Sequence, residues 1–145
     1  MVNQHQGVTL IELMIAISLL AMLALAIFPL GRAWVANQQI TKTEKLFLEA
    51  YARAKNEALR NPNAVKGDVK TASLEVTTTA VNVKDSNGVG IWSIDIAPTV
   101  TVTLSTGCTT GHQKVELNNN AHLLTGSCTF YTVAASGGTN ATGTL

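Results

Sequence analysis

The chain is poor in charge. Of its 145 residues only 13% are Asp, Glu, Lys or Arg, about half the share usual for a soluble domain. Ten basic and nine acidic side chains nearly cancel, leaving a formal net charge of +1. So close a balance argues against a nucleic-acid protein held by bulk electrostatics. Low charge alone would allow disorder, but 46% apolar residues exclude it for most of the chain. Catalytic signatures are also missing. There is no G-x-S-x-G, no phosphate-binding P-loop, no H-E-x-x-H and no dinucleotide fingerprint. Beyond Asp85 only Asp95 and Glu116 supply carboxylates, too few for acid–base chemistry. No enzymatic activity and no cofactor is expected. The length fits about one domain.

The missing charge is unevenly distributed. None lies between Glu12 and Arg32, and beyond Asp85 only Asp95, Lys114 and Glu116 are charged. Fourteen of the nineteen charges fall between Lys42 and Asp85. The chain therefore divides into three zones. In the first, residues 13–31 form an uncharged, largely aliphatic run. As a helix it would reach ~28 Å, close to the ~30 Å hydrocarbon core of a bilayer. A domain this small rarely surrounds such a helix on every side, so a membrane span is the better reading. Ser18, its one polar side chain before Leu30, can bond back to its own helix. A cleaved secretory signal would find a small-residue site at Ala24-Leu25-Ala26, but the residues before Gly7 contain no Lys or Arg. Glu12 lies inside the apolar segment, where a carboxylate costs about 2.5–3.5 kcal/mol on insertion scales. At the end of a span it could snorkel to water. Paired with a cation inside the membrane, it becomes a specific docking contact.

The stretch Gly7-Val8-Thr9-Leu10-Ile11-Glu12-Leu13-Met14 resembles the class III signal of type IV pilins and type II secretion pseudopilins. The resemblance implies a leader at residues 1–7, cut by a prepilin peptidase between Gly7 and Val8, and N-methylation of the new N-terminus at Val8. It also implies a subunit-assembly role for Glu12, at mature position five, pairing with the N-terminal amine of a neighbouring subunit. Pro29 falls at mature position 22, where many type IV pilins carry proline. The chain departs from the family at Val8, where Phe is usual, and in its uncharged leader. Arg32, Lys42 and Lys45 all follow the span, and a simple positive-inside count would leave the C-terminal part in the cytoplasm. Long domains cross regardless of flanking charge. The resemblance implies a single-pass protein of the bacterial inner membrane, its C-terminal domain periplasmic, that reaches the pilus after assembly.

Residues 8–31 are thus expected as a transmembrane and filament-core helix, and 32–61 as its amphipathic continuation. Pro29 and Gly31 both weaken a helix and predict a kink or loose turn. Ile40, Phe47, Tyr51, Ala54 and Ala58 recur at helical spacing as one apolar stripe. Lys45, Glu49, Arg53 and Glu57 are each four apart and form a charge ladder, expected as a solvated face. The helix should end near Arg60, because Asn61 precedes Pro62 and is biased away from the right-handed helical region. Residues 32–70 hold eight basic and four acidic side chains. Helix solvation explains them better than DNA binding, since no aromatics are interleaved.

The third zone, residues 62–133, reads as a Thr-rich antiparallel sheet. Sixteen of nineteen threonines lie from Thr71 onward, among many Val and Ile. Trp92, Ile94, Ile96, Val100, Val102 and Leu104 share one parity, giving a buried face that Pro98 interrupts. Leu74 and Val76 alternate in one parity and Val81 and Val83 in the other, predicting a bulge near Thr79. Asn87-Gly88 is a hairpin signal. A second hairpin is expected from residues 115–117 to Leu123, and a last strand over 128–133. Residues 134–145 read as a loose tail. Cys108 and Cys128 fit a disulfide closing a loop of about twenty residues, in keeping with an oxidising compartment. With His112 and His122 they could also be metal ligands, but C-x3-H-x9-H-x5-C matches no common zinc spacing.

The expected fold is α+β, one long N-terminal helix on an antiparallel sheet, as in pilins. Residues 52–61, 115–118, 124–126 and 129–131 resemble the GspH/FimT group of minor pilins and pseudopilins. That resemblance implies a minor type IV pilin in a tip or assembly-priming complex, with other pilins, the prepilin peptidase and the inner membrane as partners. A type II secretion minor pseudopilin is the alternative. A DNA-binding minor pilin of natural transformation is a further one, weakened because nothing basic follows Lys114. A single-span membrane protein with no filament role stands in a different class.

Overall fold

The computed structural model describes residues 8–109 and 113–145. Among the described residues one helix, α1 (Leu10–Arg60), leads into seven strands. Thr9 caps its N-terminus in extended conformation. At the other end Asn61 takes the left-handed conformation, φ 42 and ψ 59, and its N–H donates to the Glu57 carbonyl at 2.9 Å. The Asn61 side chain then bonds both the N–H and the carbonyl of Val65, at 2.8 and 2.7 Å. This turns the chain sharply away from the helix, where Pro62 cannot continue it. The helix is unbroken through Pro29 and Gly31, so those residues do not interrupt helical conformation.

The expected stripe is the helix's contact with the rest of the molecule. Ile40, Phe47, Tyr51, Ala54 and Ala58 are all buried, joined by Ala36, Thr43 and Ala50. Three members of the charge ladder, Lys45, Glu49 and Arg53, are exposed as expected of a solvated face. Glu49 and Arg53 pair at 2.8 Å, but the Arg53 guanidinium also lies 4.7 Å over the Trp92 ring. Glu57 is buried, with Arg60 at 3.7 Å.

The strands form two sheets instead of one. The first has the order β3-β2-β1-β5, from β1 (Ala72–Val76), β2 (Ala80–Asp85), β3 (Gly90–Asp95) and β5 (Lys114–Leu117). The second has the order β4-β6-β7, from β4 (Val100–Ser105), β6 (Phe130–Ala135) and β7 (Ala141–Thr144). All pairings are antiparallel. The shared parity from Trp92 to Leu104 is real, but Pro98 marks a change of sheet. Ile96, Val100, Val102 and Leu104 are buried, while Trp92 and Ile94 on the edge strand are half-buried. Both sheets contribute to one core against α1: Leu74, Val81, Val83 and Val115 from the first, Val102, Leu104, Tyr131 and Val133 from the second. Between them, the Gln113 side chain accepts from the Leu104 N–H and donates to the Leu104 carbonyl.

Two further expectations are corrected. The parity change near Thr79 is a hairpin, not a bulge. Val76 pairs with Val81, and the Thr77 hydroxyl bonds both the N–H and the carbonyl of Ala80, at 3.0 and 2.9 Å. The bulge sits one strand further on, between Val83 and Lys84 opposite β3. The supposed loose tail is also ordered. β6 runs on to Ala135, a turn with Gly137 at φ 81 follows, and β7 pairs back along β6. Gly143 makes this possible, since a Cβ there would come 2.6 Å from the Tyr131 hydroxyl. The Asn87-Gly88 turn is as read, with Gly88 at φ 83 and the Asp85 carboxylate accepting from the N–H groups of Asn87 and Val89. The second hairpin reduces to a single bridge between Leu117 and Leu123. Its loop is held by the Asn118 side chain, whose Oδ1 accepts from the N–H groups of Asn120 and His122 and whose Nδ2 donates to Asp68 at 2.7 Å.

Candidate assembly site

The head of α1 carries a reciprocal cap. The Thr9 hydroxyl accepts from the Glu12 N–H at 3.3 Å, and the Glu12 carboxylate accepts from the Thr9 N–H at 3.2 Å and its hydroxyl at 3.0 Å. Such a box satisfies helix-end donors that would otherwise lack partners. A negative side chain in the first turn also suits the positive end of the helix dipole. The Thr-x-x-Glu spacing was open to a reader of the sequence, and Thr9 is the site residue that motif reading alone passes over. Glu12 is therefore held within its own chain, but by neutral donors. Among the described residues no cation pairs with it.

Gly7 lies outside the described residues, so the junction between Gly7 and Val8 is seen only from its Val8 side. Val8 is exposed, and so is every large apolar side chain from Leu10 to Leu30. This part of α1 is long and apolar enough to cross a membrane, and none of its most apolar stretch is buried by the rest of the chain. Ser18 donates its hydroxyl to the Met14 carbonyl at 2.8 Å, which removes the one internal polar demand. Pro29 cannot donate to the carbonyl one turn earlier, and Gly31 has open space around its missing Cβ.

The aqueous half of α1 is fixed by the core described above. The Phe47 and Tyr131 rings meet at a tilt of 44° with centroids 5.0 Å apart, and the Tyr131 hydroxyl donates to Glu44 at 2.9 Å. Burial first, then the bond to Glu44 and its charge, hold the Tyr131 hydroxyl above its ordinary pKa. Cys108 and Cys128 form the expected disulfide, which fastens the sheet domain and takes no part in the helix head. It also consumes two of the four conceivable metal ligands. His112 lies outside the described residues, and among those described no group of three or more potential ligands gathers.

Comparison with known proteins bears on the same segment. Residues 2–28 match a family model described as the prokaryotic N-terminal methylation motif. No curated protein and no solved structure matches the chain. The matched segment holds Gly7, Val8, Glu12 and most of the bare apolar half-helix, and it is the mark of precursors processed by a prepilin peptidase and assembled with other pilins. With that motif heading a 51-residue helix packed on antiparallel sheets, the chain carries the N-terminal mark of the type IV pilin and pseudopilin family on a pilin-like α+β fold.

Proposed function

We propose that the chain is a minor type IV pilin, a structural subunit of a pilus tip or assembly-priming complex. The observation that carries this reading is the division of α1. One face of its second half is buried by its own domain, while its first half is apolar on nearly all sides and covered by nothing in the chain. Such a surface needs lipid before assembly and other helices afterwards. The resemblance of residues 52–61, 115–118, 124–126 and 129–131 to the GspH/FimT group supports a minor subunit over a major one.

In this reading the subunit waits in the inner membrane with its sheets in the periplasm. Cleavage after Gly7 exposes an amine at Val8, which becomes methylated. The Glu12 carboxylate, held by the neutral donors of Thr9, meets the N-terminal amine of a neighbour. The pair satisfies a charge that lipid disfavours, and the apolar half-helix passes from lipid into the filament core. The test is mass spectrometry of the chain from cells together with its abundance in sheared filaments. A chain starting at methylated Val8, substoichiometric in filaments and needed for normal filament number, is expected. An intact Met1 would leave a plain membrane anchor, a start at Ile27 an ordinary secreted protein, and co-fractionation with secretion machinery instead of pili a pseudopilin.

A further inference from the structure

A cavity of about 360 Å³ opens where α1 leaves its apolar stretch. Arg32, Val35, Ala36 and Gln39 line one wall, and Thr99 and Ser136 the other. Arg32 is the first charged side chain after Glu12, and among the described residues it has no ion-pair partner. The Thr99 hydroxyl donates to the Gln39 carbonyl oxygen at 2.8 Å, leaving the Gln39 amide hydrogens as donors. The lining is mainly apolar, and its few polar groups offer donors with no carboxylate among them, a composition that suits an anionic group carried on an apolar stem. The cavity is also preformed. The Thr139 N–H donates to Asn37 at 2.8 Å, and Gly138 sits so close to α1 that a Cβ would come 2.6 Å from the Ile40 side chain.

Its position names the source of the anion. A span over residues 13–31 fills ~28 Å of hydrocarbon, which puts Arg32 in the headgroup layer. Trp34 follows it, 66% exposed, as expected for an aromatic residue at a membrane interface. We propose that this cavity binds the phosphodiester headgroup of an anionic bilayer phospholipid and so seats the sheet domain on the membrane surface. The guanidinium pairs with the phosphate, Gln39 and Ser136 add hydrogen bonds, and Val35 and Ala36 meet the glycerol and first methylenes. The proposal rests on reading residues 13–31 as a membrane span. It gives the membrane-bound subunit a contact that must be released before the helix can be extracted.

The test uses the full chain in vesicles of phosphatidylcholine, alone or mixed with phosphatidylglycerol. Flotation reports the span, and native mass spectrometry after detergent release reports retained lipid. Wild-type protein should float in both mixtures and retain phosphatidylglycerol over phosphatidylcholine. Arg32→Gln should float equally and lose that preference about tenfold, the scale of one charge-assisted bond. Ser136→Glu, which changes only the opposite wall, should lose it too. Equal retention by wild type and both variants overturns the headgroup site, as does full displacement of the lipid by inorganic phosphate. Failure of the wild type to float overturns the span reading itself.

Discussion

The substitution Glu12→Gln separates local capping from charge pairing. Glutamine fits the reciprocal cap as glutamate does, so the helix start should be nearly unchanged, with Thr9 still bonded to residue 12. What it removes is the charge. In the membrane the loss is favourable, since lipid disfavours a carboxylate at the end of a span, though by less than the cost of about 2.5–3.5 kcal/mol at its centre, and insertion should be no weaker than in the wild type. Against a neighbour's amine the loss is unfavourable. Two unit charges 4 Å apart in a medium of effective dielectric 20 attract by about 4 kcal/mol. That is roughly a thousandfold in the docking equilibrium. Thr9→Ala makes the opposite change. It keeps the charge and removes the cap, at a cost of about 1 kcal/mol. In cells that make each variant as their only copy, the chain is quantified by immunoblot in sheared filaments and in membranes. Glu12→Gln and Glu12→Ala should both remain in membranes and be nearly absent from filaments, while Thr9→Ala should fall several-fold at most. Normal incorporation of Glu12→Gln would refute the charge-pairing argument and leave the carboxylate a cap and nothing more.

Three further predictions concern the domain, each read by thermal or denaturant unfolding of the full chain in detergent. Tyr131→Phe should cost roughly 1 kcal/mol for the lost bond to Glu44. Because burial and Glu44 raise the folded-state pKa of Tyr131 above 10.0, its contribution is whole below about pH 10 and declines as pH rises through the folded value. That alkaline decline should be absent from the variant. Reducing the Cys108–Cys128 bond should cost about 3 kcal/mol by chain-entropy reasoning and lower Tm by on the order of 10 °C. An unchanged Tm would show that the bond constrains nothing the sheets do not already hold. Gly143→Ala should destabilise by roughly 1–3 kcal/mol, because its Cβ meets a buried Tyr131 ring; a tail that tolerated it would not be packed.

The residues that could be read from sequence are those whose physics is local. The uncharged run, the stripe from Ile40 to Ala58, the stop at Asn61-Pro62 and the Asn87-Gly88 turn each follow from nearby side chains, and each stands where it was read. The hairpin between β1 and β2 was misread because Thr77-Thr78-Thr79 lacks the Gly, Asn or Pro that usually marks a turn. Its turn is made by one threonine hydroxyl holding Ala80 on both sides. β7 was missed because Ala141-Thr142-Gly143-Thr144 has almost no strand signal of its own. It is a strand because β6 pairs with it and Tyr131 needs a glycine over its ring. The split into two sheets is likewise non-local, since the parity is the same whichever sheet receives Val100. At the helix head the assembly motif stood in the sequence. The cap that holds Glu12 in its own chain stood there too, in Thr9, but a charge in an apolar segment draws the eye to a partner elsewhere.

The burial of α1 from Ala36 to Ala58 has a mechanical side. Those contacts extend over about 33 Å of helix axis, and both sheets share them. A pull on the N-terminal half is therefore opposed in shear, by many side chains loaded together. No single contact at the end of the helix can be peeled first. The closing of the helix by Asn61 and the clamp of Thr139 on Asn37 secure the two ends of that face. Under tension along the helix the domain would follow it as a rigid body.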